Sequence, residues 1–90
     1  MYLVVALMER TLEEWVSLPY AVEILVEQLV DESWMYVDLH PELPVCMGQG
    51  RTPEAATADL SSARRDWIAF TLDDGREVPL PAVLASTETV

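Results

Sequence analysis

The chain has 90 residues, a length that fits one domain rather than two. Sixteen acidic residues stand against five basic ones, and a net charge of −11 repels phosphate backbones, so we expect no direct nucleic-acid binding. The single Cys46 excludes an internal disulfide and a cysteine-rich metal site. No apolar run of about eighteen residues predicts a membrane span, and no signal peptide is recognisable, so we expect a cytoplasmic protein.

Hydrophobic residues make up 51% of the sequence, a high fraction for a chain whose surface is large relative to its volume. This fraction predicts an ordered domain with apolar surface left over for another subunit or a partner. The acidic charge favours basic partners and speeds their encounter with the protein. The simpler interpretation is that the charge only keeps a small apolar protein in solution.

A short helix is predicted after an N-terminal lead, residues 1–10. Thr11 and Glu14 have the spacing of a capping box, and Pro19 ends the helix after about Val16. Residues 2–8 are apolar and are predicted to be extended or to form a separate turn. The alternative is one longer amphipathic helix through this region.

Three strands are predicted next. The alternation over residues 20–29 predicts a half-buried strand, residues 31–33 a turn, and residues 34–39 the second strand of a hairpin. A short third strand is predicted at residues 45–47, closed by a glycine-rich bend at residues 48–50.

The main helix has the best-marked start. Thr52 is suited to cap it and Pro53 to occupy its first position, and Gly75 ends it. A short fourth strand is predicted around residues 76–78, and residues 82–90 form a tail. The expected fold class is α+β: a small antiparallel three-stranded sheet packed on one main helix, with a short fourth strand and a short N-terminal helix. The apolar stripe of the main helix consists of Ala56, Leu60, Ala63, Trp67 and Phe70.

Two residues of this helix point to assembly. Ile68 and Leu72 lie away from the predicted stripe, and the hairpin strands carry apolar residues on both faces. One helix covers only one face of a sheet, so either the N-terminal segment or a second copy of the chain must cover the other. We expect a homodimer or tetramer, with Ile68 and Leu72 in the oligomer interface.

The sequence offers little catalytic chemistry. His40 is the only histidine, and Asp38 shares its side of a strand, but no oxyanion-hole motif accompanies them, so His40 is interpreted as a partly solvated strand-end residue. Glu23, Glu27 and Asp38 are candidate Mg²⁺ ligands, but alternating acids more often form the solvent face of a strand. We expect no catalytic residues, no metal, no cofactor and no enzyme activity.

Residues 41–46 (PELPVC), Gly50 and residues 52–56 (TPEAA) together resemble the HicB-like antitoxin family, and the likeness extends over residues 11–81. It implies a degenerate ribonuclease-H-like fold without a nuclease site. Family members bind a small mRNA-cleaving toxin, HicA, and cover its active site. Val45 stands where the family has glycine, and because its side chain disfavours a positive φ we expect it to avoid one.

The resemblance implies that this chain neutralises a small basic HicA-like toxin by protein binding. A toxin that holds RNA is basic, so an acidic contact surface is expected. The alternative function is that of an orphan homo-oligomer without a toxin partner. The predicted contact residues are Glu23, Glu27 and Glu42, with Trp34 as an aromatic anchor.

Overall fold

Within residues 10–84 the fold consists mainly of two helices and three strands, and residues 82–84 are also helical. The computed structural model describes residues 10–84, and the predictions for residues 2–8 and for the end of the tail, 85–90, lie outside them. The strands form one antiparallel sheet in the order β1-β2-β3, and a long helix packs on it, which confirms the α+β class. In chain order the elements are α1 (Leu12–Val16), β1 (Glu23–Gln28), β2 (Trp34–Leu39), β3 (Met47–Gly50) and α2 (Pro53–Asp73).

α1 has the predicted length and the predicted cap. The Thr11 hydroxyl accepts a hydrogen bond from the Glu14 amide (3.1 Å), and the Glu14 carboxylate accepts one from the Thr11 amide (2.9 Å). These bonds satisfy amides that have no partner inside a helix. Trp15 is buried, and Glu13 forms an ion pair with Arg65 of α2. α1 therefore lies against α2 and not on the sheet.

β1 is the edge strand of the sheet and is exposed along its whole length. The prediction that this strand is half-buried is therefore wrong. α2 packs mainly on β3 and less on β2, and it has no comparable contact with β1. A helix is about 10 Å wide and neighbouring strands lie about 4.8 Å apart, so one helix covers two strands but not a third.

β2 begins and ends at the predicted residues, and the turn before it also lies where it was predicted. The Asp31 carboxylate accepts a hydrogen bond from the Ser33 amide (3.1 Å), which closes the turn locally. The hairpin register pairs Glu23 with Leu39 at one end and Gln28 with Trp34 at the other.

β3 comprises Met47–Gly50, so the predicted third strand is present but begins two residues later than predicted, and the predicted bend at residues 48–50 is wrong. The glycines lie inside the strand, against α2. A Cβ atom on Gly48 would overlap the backbone nitrogen of Leu60 and lie 2.6 Å from the carbonyl oxygen of Ala56. Glycine is required at this position because the helix backbone touches the strand.

The two ends of α2 agree with the prediction. The Thr52 hydroxyl accepts a hydrogen bond from the Ala55 amide (3.1 Å), Pro53 follows as the first helical residue, and Gly75 has a φ of 72° just beyond the end. The cap forms although Ala55 lacks the carboxylate of a capping box. These local signals define the helix without help from the rest of the fold.

The predicted apolar stripe of α2 is correct in its first half and wrong in its second. Ala56 and Leu60 are buried, but Phe70 is 65% exposed while Ile68 is 0% exposed. The predicted stripe repeats every seven residues or so, and a straight helix drifts by about 20° per repeat relative to that spacing. Two repeats give a drift of only about 40°, whereas Ile68 and Phe70 lie about 160° apart around the helix, so drift alone does not explain the difference. The buried residues of this half are Ile68, which packs in the core, and Thr71.

No fourth strand is present within residues 10–84, and the prediction of one around residues 76–78 is wrong. The Tyr20 hydroxyl instead donates a hydrogen bond to the Pro79 carbonyl oxygen (2.6 Å), and Val78 and Pro81 are buried. Pro79 and Pro81 have no N–H group, which prevents a regular strand ladder here. Side chains rather than backbone pairing attach this segment to the domain.

The hydrophobic core lies at one end of the sheet, and β1 contributes nothing to it. It is supplied by both helices, the segment before β1, the loop between β2 and β3, and the segment after α2. Its buried members are Trp15, Tyr20, Leu43, Cys46, Leu60, Ile68 and Val78.

Candidate partner-binding surface

One face of the sheet has no described helix on it. Asp38 and Gly48 are paired across β2 and β3, and both contact α2: the Thr57 hydroxyl donates to Asp38, and Gly48 abuts Leu60. Alternate residues of a strand point to opposite faces, so the neighbours of Asp38 and Gly48 point away from α2. We call these residues the open sheet face: Glu23, Leu25, Glu27, Met35, Val37, Leu39, Met47 and Gln49.

The open sheet face has an apolar centre and an acidic edge. Leu25 and Met47 are about half exposed, and the apolar residues of β2 between them are half-buried. Glu23 and Glu27 lie on either side of Leu25 and are exposed, as predicted. No residue of this face is basic. Such a surface is complementary to a protein that carries both apolar and basic side chains.

Trp34 lies on the other side of the sheet. It shares that side with Ile24 and Val26, and all three are more than half exposed because α2 does not reach this corner. The structure therefore separates Trp34 from Glu23 and Glu27, with which it was expected to form one surface. We call Ile24, Val26 and Trp34 the helix-side patch.

Glu42 is turned towards the domain rather than towards a partner. Its Oε2 accepts hydrogen bonds from the amides of Ala21 (3.2 Å) and Ala82 (3.0 Å), and its Oε1 is buried. Burial alone raises the pKa of a carboxyl group, but the hydrogen bonds from Ala82 and Ala21 outweigh it and hold the pKa of Glu42 below its ordinary value. Glu42 thus joins the start of β1 to the segment after α2, which does not fit the predicted role in partner contact.

His40 is buried, so the interpretation of a partly solvated strand-end residue is wrong. Its Nε2 lies 2.9 Å from the Arg64 guanidinium and its Nδ1 lies 2.7 Å from the Ala21 carbonyl oxygen. A guanidinium only donates, so Nε2 accepts and Nδ1 carries the hydrogen donated to Ala21. Asp38 accepts instead from the Thr57 hydroxyl (3.1 Å). Both nitrogens of the imidazole are therefore occupied in holding the fold together.

The remaining residues that were considered as a nucleophile or as metal ligands do not form a site together. Cys46 is buried, and burial raises the pKa of its thiol, which disfavours the nucleophilic thiolate. Glu23 and Glu27 lie on the opposite face from Asp38, and no group of three or more metal-ligating side chains within residues 10–84 could hold a metal ion. No helix of this part of the chain is long and apolar enough to cross a membrane. That the chain is not an enzyme stays a prediction.

The turn before β3 contains an unusual backbone conformation. The Cys46 amide donates a hydrogen bond to the Leu43 carbonyl oxygen (3.2 Å), Pro44 occupies the second position, and Val45 in the third position has a φ of 56°. The expectation that Val45 avoids a positive φ is therefore wrong. Leu43 and Cys46 are both buried, and these fixed ends hold the intervening residues in a conformation that suits glycine.

The two residues predicted for the oligomer interface belong to the core region. Ile68 is fully buried within one chain, so the prediction that it lies off the buried face and contacts a second copy is wrong. Leu72 packs against the same core and is only partly exposed. Phe70, which was assigned to the core, is the large exposed residue on this stretch of α2.

The candidate site residues missed by the sequence analysis are Leu25, Met47 and the apolar residues of β2 on the open sheet face. The sequence did indicate an exposed apolar face, because the hairpin strands carry apolar residues on both faces. What the sequence did not reveal is which of the two faces the helix leaves uncovered.

No protein-family model, no curated protein and no solved structure matches this chain. The likeness to HicB-like antitoxins therefore rests on the residues of this sequence alone.

Proposed function

We propose that this chain is a non-catalytic, cytoplasmic protein-binding domain that acts like HicB antitoxins and neutralises a small basic HicA-like ribonuclease toxin. The observation that carries the proposal is the open sheet face, with its apolar centre and the acids Glu23 and Glu27 at its edge. The resemblance of residues 11–81 to the family supports this class of partner.

The charges of such a complex are complementary. A protein that binds RNA presents basic groups to the phosphates, so a protein that covers that surface needs acids opposite to them. Glu23 and Glu27 supply these acids, while the apolar centre supplies buried contact area. Covering the toxin's RNA-binding surface blocks it sterically and requires no catalytic group. With a net charge of −11, the chain itself is expected not to bind nucleic acid.

The second candidate function is that of a homo-oligomer without a toxin partner, and the helix-side patch favours it. The Leu29 amide donates to Ser33, so odd-numbered residues of β1 bond towards β2, and the backbone groups of Ile24 and Val26 point to the free edge. The helix-side patch at this edge is apolar, whereas Glu23 and Glu27 of the same strand lie on the other face of the sheet. A second copy that packs on the helix-side patch would meet no like charge from these three side chains, which supports a dimer or tetramer.

Two neighbouring residues of β1 separate these proposals. Leu25 and Ile24 are similarly exposed but lie on opposite faces, so Leu25→Lys and Ile24→Lys are matched variants. Each would be co-expressed with the product of the gene beside this chain's own, provided that this gene encodes a small basic protein. We expect Leu25→Lys to abolish growth rescue and weaken binding at least ~100-fold, because it places a cation in the apolar centre. Ile24→Lys should preserve both.

Sedimentation velocity on the same variants tests the assembly. We expect Ile24→Lys to convert a dimer or tetramer into a monomer, while Leu25→Lys leaves the oligomer intact. Rescue that survives Leu25→Lys would refute the open sheet face as the toxin site. A stable oligomer in a chain with no basic toxic neighbour would favour the second function.

A further inference from the structure

Val45 has a backbone conformation that its side chain disfavours. It occupies the third position of the turn Leu43–Cys46, with a φ of 56° and a proline before it. These are the features of a type II turn, whose third position is ordinarily glycine. A β-branched residue with a positive φ is an outlier, because its Cβ crowds the backbone.

The Val45 side chain itself gains no packing in the described chain that would offset this strain. The Val45 side chain is 88% exposed and belongs neither to the core nor to the residues packed against it. Glycine would give the same turn without the steric conflict. Outliers of this kind persist where the surrounding structure enforces them and are concentrated at functional contacts.

The turn presents Val45 rigidly. Leu43 and Cys46 are buried on either side, the Leu43 amide donates to the His40 carbonyl oxygen (3.1 Å), and the His40 amide donates to the Cys46 carbonyl oxygen (3.3 Å). A partner that contacts Val45 would therefore have little loop ordering to impose on binding.

The surface around Val45 is apolar although the chain is strongly acidic. The one acid of this loop, Glu42, has its carboxylate bound inwards by backbone amides. Pro44, Val45 and Met47 are exposed, and Met47 already belongs to the open sheet face. The tip of the turn thus continues the surface proposed to bind the toxin.

We infer that Val45 is an anchor residue of the proposed complex and inserts into an apolar recess beside the basic surface of the toxin. This inference rests on the proposed function. A second copy of this chain fits the position less well. Met47, Leu39 and Glu23 are paired side by side across the three strands, so a second copy on this surface would bring its own Glu23 close to the first and the two acids would repel each other.

The test is Val45→Gly, with Val30→Gly as the matched control because Val30 is also a fully exposed valine in a turn. Unfolding by urea and binding to the small basic protein encoded beside the gene would be measured for each. We expect Val45→Gly to raise the unfolding midpoint, because strain is relieved, and yet to weaken binding at least ~10-fold, because an anchor is lost. Val30→Gly should bind like the wild type.

Opposite changes in stability and affinity cannot arise from misfolding. Val45→Asn provides a second variant, since asparagine tolerates the left-handed conformation but offers no apolar group, and it should also bind weakly. Wild-type affinity in Val45→Gly, or a lower unfolding midpoint, would overturn the inference and leave the proposed function standing. Failure of the wild type to bind the neighbouring protein would overturn both.

Discussion

The two edges of the sheet differ in what packs against them. At the β3 edge, Gly48 and Gly50 allow the backbone of α2 to lie directly on the strand. At the β1 edge, Ile24, Leu25 and Val26 have the composition of core residues but are all at least half exposed. Apolar content therefore does not reveal which strand is buried. The packing of α2 on the sheet is concentrated at β3, and the exposed apolar surface is concentrated at β1.

The largest effect on the free energy of unfolding should come from a comparison of two isoleucines, one buried in α2 and one exposed on β1. Ile68→Ala removes a fully buried side chain and should lower the free energy of unfolding by about 4 kcal/mol. Ile24→Ala removes one that is 61% exposed and should change it by less than ~0.5 kcal/mol. Urea unfolding followed by tryptophan fluorescence measures both. Equal losses would mean that β1 contributes to the core as much as α2 does.

A smaller effect is expected from adding one methyl group at a glycine. Gly48→Ala places a Cβ against the backbone of α2, which cannot move aside easily, and should cost about 3 kcal/mol. Gly75→Ala meets nothing within 4 Å and should cost only about 1 kcal/mol, because of its positive φ. The difference between the losses of unfolding free energy in the two variants measures the cost of forcing the α2 backbone away from β3. A difference near zero would show that the helix can shift away from β3.

The smallest effect on the free energy of unfolding should come from Glu42, which joins the start of β1 to the segment after α2. Glu42→Gln weakens the bonds to Ala21 and Ala82 and should cost about 1 kcal/mol at pH 7. Because hydrogen bonding holds the pKa of Glu42 below 4.5, its contribution is fully present above that pH and is lost as the pH falls through the folded-state pKa.

The unfolding free energy of Glu42→Gln should therefore fall less steeply with acidification than that of the wild type. Glu27→Gln, on exposed β1, is the control and should stay within ~0.5 kcal/mol of the wild type at pH 7. Parallel pH profiles for the wild type and Glu42→Gln would contradict this assignment.

The parts of the fold that the sequence predicted correctly depend on neighbouring residues. The capping box at Thr11, the proline after Thr52 and the glycine at position 75 act within one turn of chain, so their effects are independent of what packs around them. β2 was located correctly because its aromatic and β-branched residues favour strand and the following proline ends it.

The errors arose where distant residues decide the structure. Gly48 was interpreted as a bend residue because its role depends on a helix that follows later in the chain. His40 is buried only because Ala21 and Arg64 meet it there. At Val45 the buried neighbours Leu43 and Cys46 override the local preference of the backbone. The acids Glu23 and Glu27 were placed correctly, but Trp34 and Glu42 required the register and the hydrogen bonds to be known.

The peptide unit at Ala21 has a consequence for the motions of the domain. Glu42 accepts from its N–H group and His40 binds its carbonyl oxygen, so both ends of this residue are fixed immediately before β1 begins. Such a double attachment separates cooperative units: the edge strand can open and close in local fluctuations while the core opens only with global unfolding. We therefore expect that a local opening of β1 does not spread past Ala21 into the rest of the protein.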